Sequence, residues 1–214
     1  MIANSTTTRP RCPQCLRALR GCICTLVQPV HSDVQVLILQ HPLEVHEAKN
    51  TARLLHLCLG ASSRIEVGET FEPAQLHALL HAPWHSGDAP RQPVLLYPAT
   101  EGQAAPALAE SGLAPQQQRL IVIDGTWRKT LKMLHANPAL QPLPRLPLNI
   151  TTAGRYRIRK ARRADQLSTL EASALALAQM QGWEDGGQAL VALEGAFEGL
   201  LGLIEKLRAA QTER

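Results

Sequence analysis

Leu120-Ile121-Val122-Ile123-Asp124-Gly125-Thr126-Trp127 is the stretch that decides the fold. Four consecutive apolar residues read as a strand buried on both faces, the habit of a parallel sheet. Asp124-Gly125 breaks the run, and Thr126–His135 then reads as a helix with Trp127, Leu131 and Leu134 at i, i+4 and i+7. The same alternation extends outward. Upstream, Val34–Leu39 is a buried-strand run stopped at His41-Pro42, Ala48–Leu59 a helix ending at Gly60, and Ser63–Val67 a second strand. Pro73–Leu80 has helical character, His81–Pro93 looks like a surface loop, and Val94–Tyr97 is a strand closed by Pro98. Downstream, Asn137-Pro138 ends the helix and a proline-spaced stretch runs to Pro147. Ser168–Gln181 and about Gly187–Ala210 are helical, the last with Leu190, Phe197, Leu201 and Ile204 along one stripe. Strands alternating with helices predict an α/β domain with a largely parallel sheet flanked by helices. In such sheets ligands bind beyond the carboxyl ends of strands, and Asp124 stands at such an end.

Near the amino terminus, Cys12, Cys15, Cys22 and Cys24 follow the spacing C-x2-C-x6-C-x-C. Four soft thiolates from two tight turns suit a tetrahedral ion such as zinc, and four thiolates leave no open position for water. Disulfides are the rival reading, but they belong to oxidising compartments, and Met1–Pro10 has no apolar stretch that could act as a secretory signal. A reducing, cytoplasmic setting is therefore expected. Cys58, inside the apolar run Leu54–Leu59, reads as core. The 214 residues fit a small metal element over 1–32 and one α/β domain over 33–214. No apolar run approaches a membrane span.

The formal charge is +4, yet residues 155–163 alone carry Arg155, Arg157, Arg159, Lys160, Arg162 and Arg163 with no acid. That density is the footprint of a polyanion partner, against the plainer reading of a solvated basic strand and loop. Aromatics are only 3%, too few for a broad base-stacking platform. P-loop, nucleophile-elbow, H-E-x-x-H and dinucleotide-fingerprint motifs are all absent, which argues against the common nucleotide-hydrolysing, esterase, zinc-protease and dinucleotide-binding types.

Asp124 can orient or deprotonate a weakly acidic donor, or it can be a plain turn residue with Trp127 as a core anchor. Gly125 allows close backbone approach and Thr126 can cap the helix. Ser168-Thr169-Leu170-Glu171 fits a capping box, and its helix start could also receive a carboxylate. Leu95-Leu96-Tyr97-Pro98 offers a second strand-end loop to the same crevice. His41 and His46 lack the spacing for a second metal. His41 and Glu44 should instead hydrogen-bond within their loop, leaving Lys49 for a phosphate or carboxylate.

The cysteine knuckle, His41-Pro42-x-Glu44, Lys49-Asn50-Thr51, Asp124-Gly125-Thr126-Trp127 and Ser168-Thr169-Leu170-Glu171-Ala172, in this order, resemble the DTW-domain family. The resemblance spans residues 12–172 and implies a SPOUT-like, knotted α/β domain. Its characterised members are tRNA-uridine aminocarboxypropyltransferases. They move the 3-amino-3-carboxypropyl group of S-adenosylmethionine to N3 of a uridine and release 5'-methylthioadenosine. On that likeness Asp124 is the candidate base, and Tyr97, Pro98, Ala99, Gly125, Thr126, Trp127, Ser168, Thr169 and Glu171 shape the donor's pose. Lys49, the six basic residues of 155–163 and the zinc knuckle would grip tRNA. A SPOUT-like methyltransferase and a non-catalytic zinc-containing RNA-binding module are the competing expectations.

Overall fold

The computed structural model describes residues 10–98, 112–148, 167–184 and 187–212. Its centre is a four-stranded, wholly parallel sheet of β1 (Gln35–Gln40), β2 (Ser63–Val67), β3 (Gln92–Leu96) and β4 (Gln118–Asp124), ordered β2-β1-β4-β3. Both central strands are buried along their whole length, as continuous apolar runs require.

Because strand side chains alternate, each strand feeds two cores. Val36 and Ile38 of β1 and Leu120 and Val122 of β4 join one apolar cluster with α1 (Ala52–Leu59), α4 (Thr169–Gln181) and α5 (Gln188–Thr212). Leu37, Leu39, Ile121 and Ile123 join the other, with α2 (Pro73–His81) and α3 (Trp127–Ala136). Cys12, Cys15, Ile23 and Cys58 lie in the first cluster, so the amino-terminal knuckle is packed onto the domain, not hung from it. Gly60 ends α1 at φ 53°, a conformation L residues avoid.

Three elements depart from their sequence expectations. Helix α1 starts at Ala52 instead of residue 48, because the Asn50 side chain accepts from the Ala52 amide at 3.0 Å and terminates the preceding turns. In α3 the buried residues are Thr130, Met133 and Leu134, while Trp127 is 49% and Leu131 47% exposed. Trp127 and Leu131 share one helix face and are both exposed, while α3 meets the sheet through Thr130, Met133 and Leu134, so Trp127 is not a core anchor. In α5, Leu190 and Phe197 are buried as expected, but Leu193, Ala196 and Leu200 complete the face and Leu201 and Ile204 are only half-buried.

The expected loop over His81–Pro93 includes the end of α2 and the start of β3, and its Trp84 is buried. The Arg64 and Arg119 guanidinium groups lie 4.8 and 4.7 Å from that ring's centroid. The proline-spaced stretch serves as an extra edge: the Leu95 amide donates to Pro144 O at 2.8 Å and Leu146 N to Leu95 O at 3.0 Å. Among the described residues, no helix is long and apolar enough to cross a membrane.

Candidate functional site

Two adjacent parallel strands each end an apolar run with a polar residue, Gln40 on β1 and Asp124 on β4, and the two are register partners. Register places both side chains on the face covered by α1 and α4. There Asp124 Oδ2 accepts from Gln40 Nε2 at 2.8 Å and from Asn50 Nδ2 at 2.6 Å, while Oδ1 accepts from Thr169 Oγ1 at 2.5 Å. Asp124 is only 3% exposed. Three neutral donors, from β1, the turn before α1 and the first residue of α4, therefore converge on one carboxylate. Thr51 reinforces the junction by accepting from the Leu170 amide at 3.1 Å.

Beside this junction lies a cavity of about 550 Å³. Tyr97, Pro98, Gly125, Thr126, Trp127, Ser168 and Thr169, all expected at the donor site, line it. Leu96, Val122, Ile123, Leu146, Leu148 and Leu167 supply apolar wall. Asp124 is one hydrogen bond behind the wall, joined to it through Thr169. Tyr97 and Trp127 meet edge to face, ring centroids 5.9 Å apart. Space at Gly125 is tight: a Cβ on it would lie 3.2 Å from Lys129 Cβ, so α3 would have to give by a few tenths of an ångström.

The capping box forms as the sequence indicated, Ser168 N donating to Glu171 Oε2 at 2.8 Å and Glu171 N to Ser168 Oγ at 3.3 Å. Glu171 thus closes the helix and does not line the cavity. The Ser168, Leu170 and Glu171 amides are taken by side chains, which leaves fewer donors at the start of α4 for an anion. The start of α3 is different. Thr126 occupies its N-cap position without a side-chain capping bond, and the Gly125–Trp127 segment borders the cavity. The positive end of that helix dipole is the better place for a carboxylate.

His41 accepts from the Leu43 amide through Nδ1 at 3.1 Å, so Nε2 carries the proton and donates to Glu69 at 2.9 Å. The Lys132 ammonium and His41 hold the Glu69 carboxyl below its usual range. Glu44 bonds within the loop through its backbone, its amide donating to His41 O at 2.9 Å, while its carboxylate accepts from Lys129 of α3 at 2.7 Å. This pair and the His41–Glu69 pair fix the loop after β1 to its surroundings.

The four knuckle sulfurs lie within 4.8 Å of one another, with Cys12–Cys24 at 3.6 Å and Cys15–Cys22 at 3.7 Å. An ion at 2.3 Å from each of four sulfurs sets them about 3.8 Å apart, so the cluster could bind zinc. The Cys15 and Gln14 amides pull the Cys12 thiol down to about 6, while burial and the neighbouring thiols push Cys24 up to about 12. Backbone amides aimed at sulfur already favour a thiolate at Cys12. The knuckle is tied to the junction by Arg17, which donates to Ala48 O at 2.9 Å and Asn50 O at 2.7 Å. Sequence reasoning assigned no role to Arg17 or Gln40. The polar end of the Val36–Gln40 run, matching that of Leu120–Asp124, was the available signal.

Lys49 is exposed beside Asn50. Ala99, Arg155, Arg157, Arg159, Lys160, Arg162 and Arg163 lie outside the described residues.

The DTW domain family model matches residues 9–208. A protein from Drosophila melanogaster named tRNA-uridine aminocarboxypropyltransferase 2 is 31% identical over 192 residues, covering 88% of this chain and 74% of that protein. Proteins of the same name from Macaca fascicularis and Mus musculus are each 28% identical over 177 residues, 81% of this chain. The chain spans 57% of the length of these two relatives. No solved structure matches it with significance.

Proposed function

This chain belongs to the DTW-domain family, and from that premise we propose that it transfers the 3-amino-3-carboxypropyl group of S-adenosylmethionine to N3 of a tRNA uridine, releasing 5'-methylthioadenosine. The observation that carries the reading is the cavity at the carboxyl end of β4, walled by Gly125, Thr126 and Trp127 of the family's signature. The bound donor would supply a sulfonium, whose alkyl carbon–sulfur bond would break with the pair going to sulfur as uridine N3 bonds that carbon and its proton passes to solvent water.

The residues divide the work by chemistry. The apolar wall of Leu96, Val122, Leu146 and Leu148 suits an adenine, and the uncapped start of α3 suits the donor's carboxylate. Trp127, half-exposed at the mouth, offers a stacking face for an extruded uracil. Asp124 acts as a positioning residue, since Thr169 covers Oδ1 and two amides cover Oδ2. Acting directly as the base would require the Thr169 hydroxyl to give way. Holding N3 over the alkyl carbon is itself a large contribution when the geometry is near attack.

Cys12, Cys15, Cys22 and Cys24 would hold Zn²⁺, a structural ion that shapes the 1–32 element against the 33–214 domain. Lys49 and the basic residues of 155–163 would meet the tRNA backbone. A four-thiolate site fits a reducing, cytoplasmic setting. The SPOUT-like, knotted path that the family resemblance implies remains part of this proposal, with which the parallel order β2-β1-β4-β3 is compatible.

The test is incubation with unmodified tRNA and S-adenosylmethionine, followed by nucleoside mass spectrometry and identification of the by-product. Aminocarboxypropyl-uridine with methylthioadenosine is expected. A methyl adduct with S-adenosylhomocysteine would make the chain a methyltransferase, and tRNA binding without any by-product would make it a binding module.

A further inference from the structure

We propose that a second, basic groove, between the cysteine knuckle, residues 45–49 and the carboxyl-terminal part of α5, seats the phosphodiester backbone of the RNA substrate. The proposal rests on the RNA-modifying reading and adds to it a contact surface separate from the donor cavity.

The groove encloses about 380 Å³. Arg11, Arg17 and Arg20 reach it from the knuckle, Lys49 from the turn before α1 and Arg208 from α5. Glu47 is the one acid among its lining residues. These few residues therefore carry the same surplus, four positive charges, as the entire chain. Among the described residues none of the five cations forms an ion pair. Two of them are held in place by partners that leave their charge intact. Arg17 sits on the Ala48 and Asn50 carbonyls, and Arg11 bonds Leu16 O at 3.3 Å and His46 Nδ1 at 2.8 Å. Arg20, Lys49 and Arg208 are exposed on the rim.

The floor is apolar, built from Leu16, Leu203, Ile204 and Leu207. A cationic rim over an apolar floor matches a nucleotide strand, whose phosphates meet the rim and whose base or sugar edge covers the floor. The position favours RNA over an acidic peptide. Lys49 adjoins Asn50, whose side chain bonds Asp124 behind the cavity wall, so the turn before α1 links the groove to the residues that back the donor cavity. One polyanion can then occupy both. Phosphate contacts carry no sequence information but fix register; in this groove they would set which nucleotide arrives at Trp127.

The experiment uses the full zinc-loaded chain and a fluorescein-labelled unmodified tRNA transcript, titrated by anisotropy over a range of salt. Arg20→Ala/Arg208→Ala changes only exposed side chains, and thermal melting checks that it is folded. Weaker binding is expected, with the log–log salt slope flatter by about 1.4 to 1.8, the value for two lost phosphate contacts. Affinity for S-adenosylmethionine, measured by calorimetry, should be unchanged. Wild-type tRNA binding with no change of affinity or slope in the variant overturns the groove and leaves the transferase reading standing. Absence of tRNA binding in the wild type overturns both.

Discussion

Asp124→Ala removes the one acceptor shared by Gln40, Asn50 and Thr169. Gln40 is 2% exposed, so its amide keeps only the 3.3 Å bond to Asn50 Oδ1 and gains no water for the lost one, whereas Asn50 and Thr169 are half-buried and can recruit some. At about 1–3 kcal/mol for each buried donor left unsatisfied, the substitution should cost roughly 3–6 kcal/mol, a large part of a domain's stability. Asp124→Asn is nearly isosteric and behaves differently. Its carbonyl can still accept from Gln40 and Asn50, and its amide can donate to Thr169 Oγ, which turns to accept. Only the charge assistance is lost, about 1 kcal/mol per bond and partly offset by burying a neutral group. The two variants should therefore differ by about 2–3 kcal/mol in urea denaturation. Methylthioadenosine release under saturating substrates should persist at a reduced rate in the asparagine variant and vanish in the alanine variant. Wild-type stability in both, with turnover abolished in both, would refute the positioning role and return Asp124 to direct proton abstraction.

The knuckle yields a second expectation: elemental analysis should find one zinc per chain, and Cys22→Ser or chelation should lower the melting temperature, since structural zinc contributes about 10–16 kcal/mol apparent. A melting curve indifferent to chelator would remove the ion from the fold. Arg17→Ala should slow turnover by loosening Asn50 while costing only about 1–3 kcal/mol of stability, with partial rescue by Arg17→Lys, which keeps one of the two carbonyl bonds. Equal turnover in all three proteins would show that Arg17 merely anchors the knuckle. Burial, and then the Arg53 charge, depress the His56 imidazole below its ordinary 6.5. The unfolded chain then binds a proton that the fold refuses, so stability should fall as pH drops from about 6.5 toward the depressed value. His56→Gln should flatten that slope in urea melts, and an unaltered slope would assign the acid sensitivity elsewhere.

Much of the scaffold was legible in the sequence because buried parallel strands are written as continuous apolar runs. Leu120–Ile123 and Val34–Leu39 were found within a residue or two of β4 and β1. The capping box was equally plain, since its partners lie three residues apart. What the sequence concealed was long-range. Asp124 meets Asn50 and Thr169, 74 and 45 residues away, through the packing of α1 and α4 on one sheet face. Trp127 lines the cavity but is not core: periodicity allows more than one stripe on α3, and the sheet covers the one through Thr130, Met133 and Leu134. That Thr51 also occupies an amide at the start of α4 was hidden because the contact crosses 119 residues.

Binding of S-adenosylmethionine to Ala172→Trp bears most directly on the claim that the β4-end cavity holds the donor. Ala172 borders the cavity one turn beyond Thr169 in α4, where a bulky side chain would fill the space, and a urea melt checks that the Asp124 junction survives. Calorimetry should show binding to the wild type and none to the variant, with melting temperature and tRNA affinity retained. Undiminished binding by a folded Ala172→Trp would place the donor elsewhere and contradict the account.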